Sequence, residues 1–242
     1  HCGCQAVLLV DPYYNGPSSL EIRREYVAPV AKAFPGMDII PYVIPGRTGT
    51  QLLPEDLALL FKSYPNVNTV KEATADIQNM RRTRACCGPD FTILSGDDGM
   101  TLAMMADPAV LAAGVISVAS NVAPRAITEM VTLLNAGRQA EAKALAARLE
   151  PLFNLVTVKT VEKTPYGEVA CRARNPVAYK ALMAILGMPA GGCKPPLGKL
   201  TRNGLTQVLE TARGVQRSAP ELFQPVADAF GVDIAKRLEN PQ

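Results

Sequence analysis

Five short stretches of this chain carry side chains that could do chemistry, and each sits where a β-strand should end. They are Asp11-Pro12-Tyr13-Tyr14-Asn15; Tyr42 with Ile44-Pro45-Gly46-Arg47-Thr48-Gly49; Lys71-Glu72-Ala73-Thr74; Ser95-Gly96-Asp97-Asp98; and Ser117 with Ala119-Ser120-Asn121. In parallel α/β folds the reactive site forms at the carboxyl ends of the strands. Lys71 is the most informative of these residues. A lysine closing an apolar strand points into the mouth of the sheet, where desolvation lowers its pKa. A neutral amine there attacks a carbonyl to form a Schiff base. The competing reading is a lysine that snorkels to solvent or pairs with Glu72 or Asp97. Tyr42 closes the neighbouring strand, either as a proton carrier at the same mouth or as a half-buried core tyrosine. Arg47, after a Pro-Gly turn, suits bidentate recognition of a carboxylate or phosphate, or forms a surface salt bridge. Asp97 and Asp98 make at best a thin metal site, and a cap for the next helix is the alternative.

Composition narrows the chemistry. The chain has one His, at position 1, and no Trp. That removes a Ser-His-Asp triad, a Cys-His pair in a folded core and a His-rich metal site. Proton transfer must then use Tyr, Lys, Asp, Glu or Cys. Twenty-five basic against 22 acidic residues give +3, which is too close to balance for a nucleic-acid partner. The short clusters Arg81-Arg82 and Arg172, Arg174 read as solvated surface. No apolar run reaches the ~18 residues of a membrane span, and the start His-Cys-Gly-Cys-Gln lacks a basic region followed by a cleavage site. Cys2, Cys4, Cys86, Cys87, Cys171 and Cys193 have poor spacings for disulfides or a zinc knuckle. Reduced thiols and a cytoplasmic location are expected, with a metal site uniting Cys2-Cys4 and Cys86-Cys87 as the weaker alternative.

These residues need elements to hold them. Apolar runs at Ala6–Val10, Asp38–Val43, Val67–Lys71, Phe91–Ser95 and Gly114–Ala119 read as strands. Helices are expected over Leu20–Phe34, capped by Ser18 or Ser19, and over Glu55–Ser63 behind Pro54. Others follow at Ala75–Cys86 capped by Thr74, from Asp98 to about Ala113, and at Pro124–Asn135. Five β-then-α units imply parallel strands with crossover helices, in a sheet covered on both faces. After Asn135 helices dominate: Arg138–Leu152, Asn175–Leu186, Gly204–Arg217 and Pro220–Phe230. Val156–Val161 is the one further strand the pattern allows. The fold class is therefore α/β, with a partial (β/α) barrel over residues 1–136 and a helical region over 137–242.

The motifs Pro12-Tyr13-Tyr14-Asn15, Tyr42-x-x-Pro45-x-Arg47-Thr48-Gly49, Lys71-Glu72-Ala73-Thr74, Ser95-Gly96-Asp97-Asp98 and Gly114-Val115-Ile116-Ser117-Val118 stand in a characteristic order and spacing. They resemble the dihydrodipicolinate synthase / N-acetylneuraminate lyase family of class I aldolases, over about residues 4–200. The resemblance implies a (β/α)8 TIM barrel followed by C-terminal helices. It implies that Lys71 forms a Schiff base with pyruvate, that Tyr42 relays protons, and that Tyr14 is lent across an interface to a neighbouring subunit. It implies that Arg47 holds the carboxylate of the second substrate, L-aspartate-4-semialdehyde, while the Ile116 backbone oxygen and Gly96 line the site. Tyr13 resembles a residue near an allosteric lysine pocket. Arg47 favours the synthase branch over the neuraminate lyases. The implied reaction makes 4-hydroxy-tetrahydrodipicolinate for lysine biosynthesis, with no cofactor beyond the Schiff base, in a homodimer or homotetramer. Another 2-keto acid aldolase or dehydratase, acting on 2-keto-3-deoxy sugar acids or N-acetylneuraminate, is the alternative.

The chain also departs from that family. Its N-terminal segment normally supplies three strands, a Gly-x-x-Gly-Glu motif and a hydroxyl pair that binds the pyruvate carboxylate. None of these is in the sequence, and the first strand here corresponds to the family's fourth. Val43 replaces an Asn common after the relay tyrosine, and Thr201–Gln242 extends past the usual end. The 242 residues therefore match the ~250 of a whole barrel only by coincidence. Part of a longer chain, a truncated protein completed by another subunit, or an inactive relative would each account for this. The start at His rather than Met favours the first.

Overall fold

The computed structural model describes residues 3–239. His1 and Cys2, and with Cys2 the Cys2-Cys4 pair, lie outside them. The chain divides into two compact units, His1–Ile116 and Ser117–Gln242.

The first unit is built of strand-helix repeats. β1 (Ala6–Val10) is followed by α1 (Ser19–Glu21), a π-helical stretch at Ile22–Val27 and α2 (Ala28–Ala33). β2 (Asp38–Val43) leads into the short α3 (Pro45–Thr48) and α4 (Pro54–Ser63). β3 (Thr69–Glu72) precedes α5 (Ile77–Cys87), β4 (Thr92–Ser95) precedes α6 (Thr101–Ala106), and β5 (Gly114–Val115) closes the series. The strands form one parallel sheet in the order β1-β2-β3-β4-β5, the arrangement that repeated crossover units require.

Register decides which face each side chain takes. Val10 pairs with Tyr42, Tyr42 with Lys71, Lys71 with Leu94 and Leu94 with Gly114, so these residues share one face. Ile39, Val43, Val70 and Ile93 take the other and are fully buried. The first face is open: Leu8 is 41% exposed, and Val10, Ile40, Tyr42 and Leu94 are half-buried. The expectation of a sheet covered on both faces thus holds for one face only in these residues. Lys71 breaks the pattern, buried on the open face at 8% exposure.

Several local expectations are corrected. α5 starts at Ile77 behind Asp76, whose Oδ1 accepts from the Gln78 and Asn79 backbone N–H groups at 2.9 and 3.3 Å. Thr74 donates instead to Glu72 Oε2 at 3.1 Å, because Ala75 adopts φ 59° and delays the helix. The helix expected to reach Ala113 stops at Ala106, since Asp107 precedes Pro108 and a residue before proline leaves the helical region. β5 is two residues long rather than six.

The second unit holds α7 (Pro124–Asn135), α8 (Gln139–Phe153), β6 (Thr157–Thr164), β7 (Gly167–Arg174), α9 (Val177–Ile185), α10 (Arg202–Ser218), α11 (Gln224–Phe230) and α12 (Ile234–Glu239). β6 and β7 form an antiparallel two-stranded sheet. The reading of this region as helical with one strand allowed at Val156–Val161 is therefore wrong at β7. Its Gly-Glu-Val-Ala-Cys-Arg-Ala-Arg sequence has one β-branched residue and offers little strand propensity.

At the end of β1 the Asp11 backbone N–H donates to Tyr42 O at 3.2 Å. Its side chain is 0% exposed and accepts from the Leu52 N–H at 3.0 Å. Burial pushes this carboxyl up from 3.8 to about 6. The folded state therefore favours the protonated form, and ionisation costs stability as pH rises from about 4 through 6. The shift corresponds to at most about 3 kcal/mol at neutral pH. Asp11→Asn should then be more stable than wild type at pH 7 and lose that advantage at pH 4. Thermal unfolding of both proteins at the two pH values checks this, and an equal difference at both would refute the assignment.

Candidate active site

The candidate site lies at the carboxyl ends of β2, β3 and β4. The Tyr42–Lys71 register puts the two side chains on the same face of adjacent strands, and the Lys71 Nζ lies over the Tyr42 ring, 4.1 Å from its centroid. Burial pushes the Lys71 amine below the ordinary lysine range, with the Asp98 charge opposing it. Burial pushes the Tyr42 phenol up; the Arg47 charge opposes that shift and the Asp97 charge adds to it. At neutral pH Tyr42 is thus a protonated donor beside an amine that gives up its proton more easily than a free lysine.

Glu72 is not the partner of Lys71. Adjacent strand residues face opposite ways, and Glu72 is buried on the far side. Its Oε1 accepts from the Thr74 N–H at 2.7 Å, and its Oε2 from the Asn79 side chain at 3.4 Å. Asp97 is not the partner either: its Oδ1 accepts from the Gly99 N–H at 2.9 Å and caps the turn at Asp98–Met100. The carboxylate felt at Lys71 is that of Asp98, its neighbour. The doubled Asp in the sequence was the available signal, and only the cap could decide between the two.

Gly96 is set by space rather than by a special φ. A Cβ there would stand 2.9 Å from Ala73 Cβ, 3.1 Å from Glu72 O and 3.1 Å from Lys71 Cε. The Gly96 N–H donates to Glu72 O at 2.7 Å, so this backbone is drawn tight against the base of the lysine. The Ile116 N–H donates to Ser95 O at 2.9 Å, continuing the ladder between β4 and β5. Arg47 is exposed on α3, which Gly49 closes in the left-handed conformation. Thr48 holds that turn by donating to Thr50 O at 2.8 Å. Thr50 in turn donates to Pro17 O, tying the loop after β2 to the loop after β1.

Tyr42, Lys71 and Gly96 are thus brought together, with the charge of Arg47 bearing on Tyr42. Tyr13 and Tyr14 are not part of that cluster. They stand 71% and 95% exposed on the loop after β1, and Tyr14 has φ 76°. Cys87 is buried and its thiol is pushed up to about 12, which makes it an inert core group. Among the described residues no group of three His, Cys, Asp or Glu is placed to share a metal ion, and no helix is long and apolar enough to cross a membrane.

Comparison with known proteins gives the family and the fold. The model of the dihydrodipicolinate synthetase family matches residues 1–214. A 4-hydroxy-tetrahydrodipicolinate synthase of Methanococcus maripaludis is 33% identical over 201 residues, covering 83% of this chain and 62% of the relative. One from Thermosynechococcus vestitus is 36% identical over 195 residues, covering 81% and 60%. The chain therefore spans about three-fifths of the length of these relatives. Among solved structures, the 4-hydroxy-tetrahydrodipicolinate synthase of Methylacidiphilum fumariolicum SolV superposes with TM-score 0.79 at 29% identity, over 93% of this chain and 68% of that one. The lysine-bound enzyme of Cyanidioschyzon merolae gives 0.76 at 29%, over 88% and 66%.

Proposed function

Since the chain belongs to the dihydrodipicolinate synthetase family, we propose that it carries the Schiff-base half-site of a lyase that condenses pyruvate with L-aspartate-4-semialdehyde. The observation that carries this reading is Lys71, a buried amine on an otherwise open sheet face, 4.1 Å beneath the Tyr42 ring.

Each step follows from a residue already placed. The lowered pKa of Lys71 supplies free amine, which attacks the keto carbon of pyruvate and expels water. The resulting iminium is the electron sink, so the pyruvate methyl loses a proton and becomes an enamine without a metal or organic cofactor. The enamine carbon attacks the aldehyde and a C–C bond forms; the semialdehyde's own amino group then attacks the iminium carbon, closing the ring and expelling the Lys71 amine, and 4-hydroxy-tetrahydrodipicolinate leaves. Tyr42, protonated and adjacent, relays the protons these steps need. Arg47 is exposed and pairs through two N–H groups with the semialdehyde carboxylate. Gly96 leaves room for the iminium, and the Ile116 carbonyl faces the bound pyruvate. Tyr14, projecting into solvent, suits a residue lent to a neighbouring subunit of a homodimer or homotetramer in the cytoplasm. Tyr13 beside it suits a position near a lysine-responsive pocket. The half-exposed residues Val10, Ile40 and Leu94 support reading the sheet as five consecutive units of an eight-unit TIM barrel, the open face being its interior.

Substrate profiling tests the choice of second substrate. With pyruvate present, consumption of L-aspartate-4-semialdehyde is expected, with no cleavage of 2-keto-3-deoxy sugar acids or N-acetylneuraminate. The reverse result would assign the site to another aldolase of the same chemistry.

A further inference from the structure

The two edges of the β6–β7 hairpin differ. Along β6 the carbonyl of Val161 leaves the ladder and accepts from the Asn203 side chain at the start of α10, at 3.3 Å. The same amide donates to Glu162 Oε2 at 3.1 Å. The β6 edge is thus met by α10 at Val161. Along β7 no further strand pairs among the described residues, and Glu168, Val169 and Ala170 are exposed. Antiparallel ladders alternate between hydrogen-bonded and non-hydrogen-bonded pairs. Ala170 lies opposite Val161, so its N–H and C=O also point away from β6. Those of Glu168 and Arg172, two residues either way, do the same.

The side chains on this outer face form three rows: Lys163 opposite Glu168, Val161 opposite Ala170, and Lys159 opposite Arg172. The last row sets two cations side by side, which is unfavourable in a lone pair of strands. Val161 is 54% exposed in the middle. Glu168 cannot relieve Arg172 within the chain, since four residues of one strand span roughly 13 Å.

We propose that β7 pairs antiparallel with β7 of a second copy of this chain, about a two-fold axis at Ala170. The result is a four-stranded sheet in which both free edges disappear. Glu168 falls opposite the partner's Arg172, and Arg172 opposite the partner's Glu168, so each crowded cation gains a carboxylate. Val161, Ala170 and their counterparts make one apolar row between the two ionic ones. On the reverse face the exposed Val169 meets the partner's Cys171. This register puts a carboxylate opposite the crowded Arg172 of both copies, and the charge pattern fits a second copy of the chain.

The test is the mass of the intact protein by sedimentation across a concentration series. Wild type is expected to self-associate. Glu168→Lys and Arg172→Glu should each weaken that association by at least about tenfold, because each replaces two attractive cross-strand pairs by two repulsive ones. An equimolar mixture of the two variants should regain it, since each offers the charge the other lacks, and so should the double variant E168K/R172E. Ala170→Pro removes an N–H that points away from β6, so circular dichroism should be unchanged while the association made through β7 is lost. Wild type that stays monomeric throughout would overturn the proposal. So would reversal variants that associate like wild type, through another surface, or a mixture no stronger than its components.

Discussion

Borohydride added to the protein in the presence of pyruvate should attach one reduced pyruvyl unit, at Lys71, and Lys71→Ala should attach none. The expectation follows from position and environment together. Lys71 is 8% exposed on a face whose other residues are open, and burial depresses its pKa. Its neutral fraction at pH 7 therefore exceeds that of a surface lysine, and trapping should persist to lower pH than for a surface lysine. A peptide map of the reduced protein reads the site directly. Turnover should fall by more than about 10³-fold in the alanine variant, as when a covalent nucleophile is removed. Glu72→Gln is the useful contrast. That side chain faces away from Lys71, so trapping should survive although Glu72, at 1% exposure, is the more deeply buried of the two. A Lys71→Ala protein that still traps pyruvate would sink the assignment, whether or not the chain turns over both substrates.

How much of this was legible in the sequence depended on what kind of information a feature needs. β1 to β4 were legible because each is a short apolar run bounded by breakers, and the Tyr42–Lys71 neighbourhood followed from counting strand ends. Features decided by one competing hydrogen bond were not. Thr74 and Asp76 are both acceptable caps, and the left-handed φ of Ala75 chose between them. Asp97 and Asp98 are indistinguishable in sequence, and the turn at Asp98–Met100 took the first as its cap and left the second to act on Lys71. β7 was invisible because its stability comes from pairing with β6 rather than from its own residues. The crowding at Gly96 was legible only as a glycine in a motif, since its meaning is a distance to Lys71 Cε that no spacing encodes.

Tyr42→Phe separates the two things Tyr42 does. The ring that covers the lysine remains, so Lys71 should stay buried and pyruvate should still be trapped at the same residue. The phenolic proton is lost, and kcat should fall by about 10²–10⁴-fold, the usual contribution of a positioned acid-base group, with KM for pyruvate little changed. Tyr42→Leu removes the ring as well, and two effects then oppose each other at Lys71. Losing the aromatic face disfavours the ammonium and lowers the amine's pKa, while admitting water restores the charged form and raises it. Burial is the largest influence on Lys71, so the second effect should win, and the pH dependence of trapping should move to higher pH in Tyr42→Leu but not in Tyr42→Phe. A phenylalanine variant with full turnover would remove Tyr42 from the proton relay. A leucine variant with an unmoved trapping profile would show that the ring is not what keeps water from the lysine.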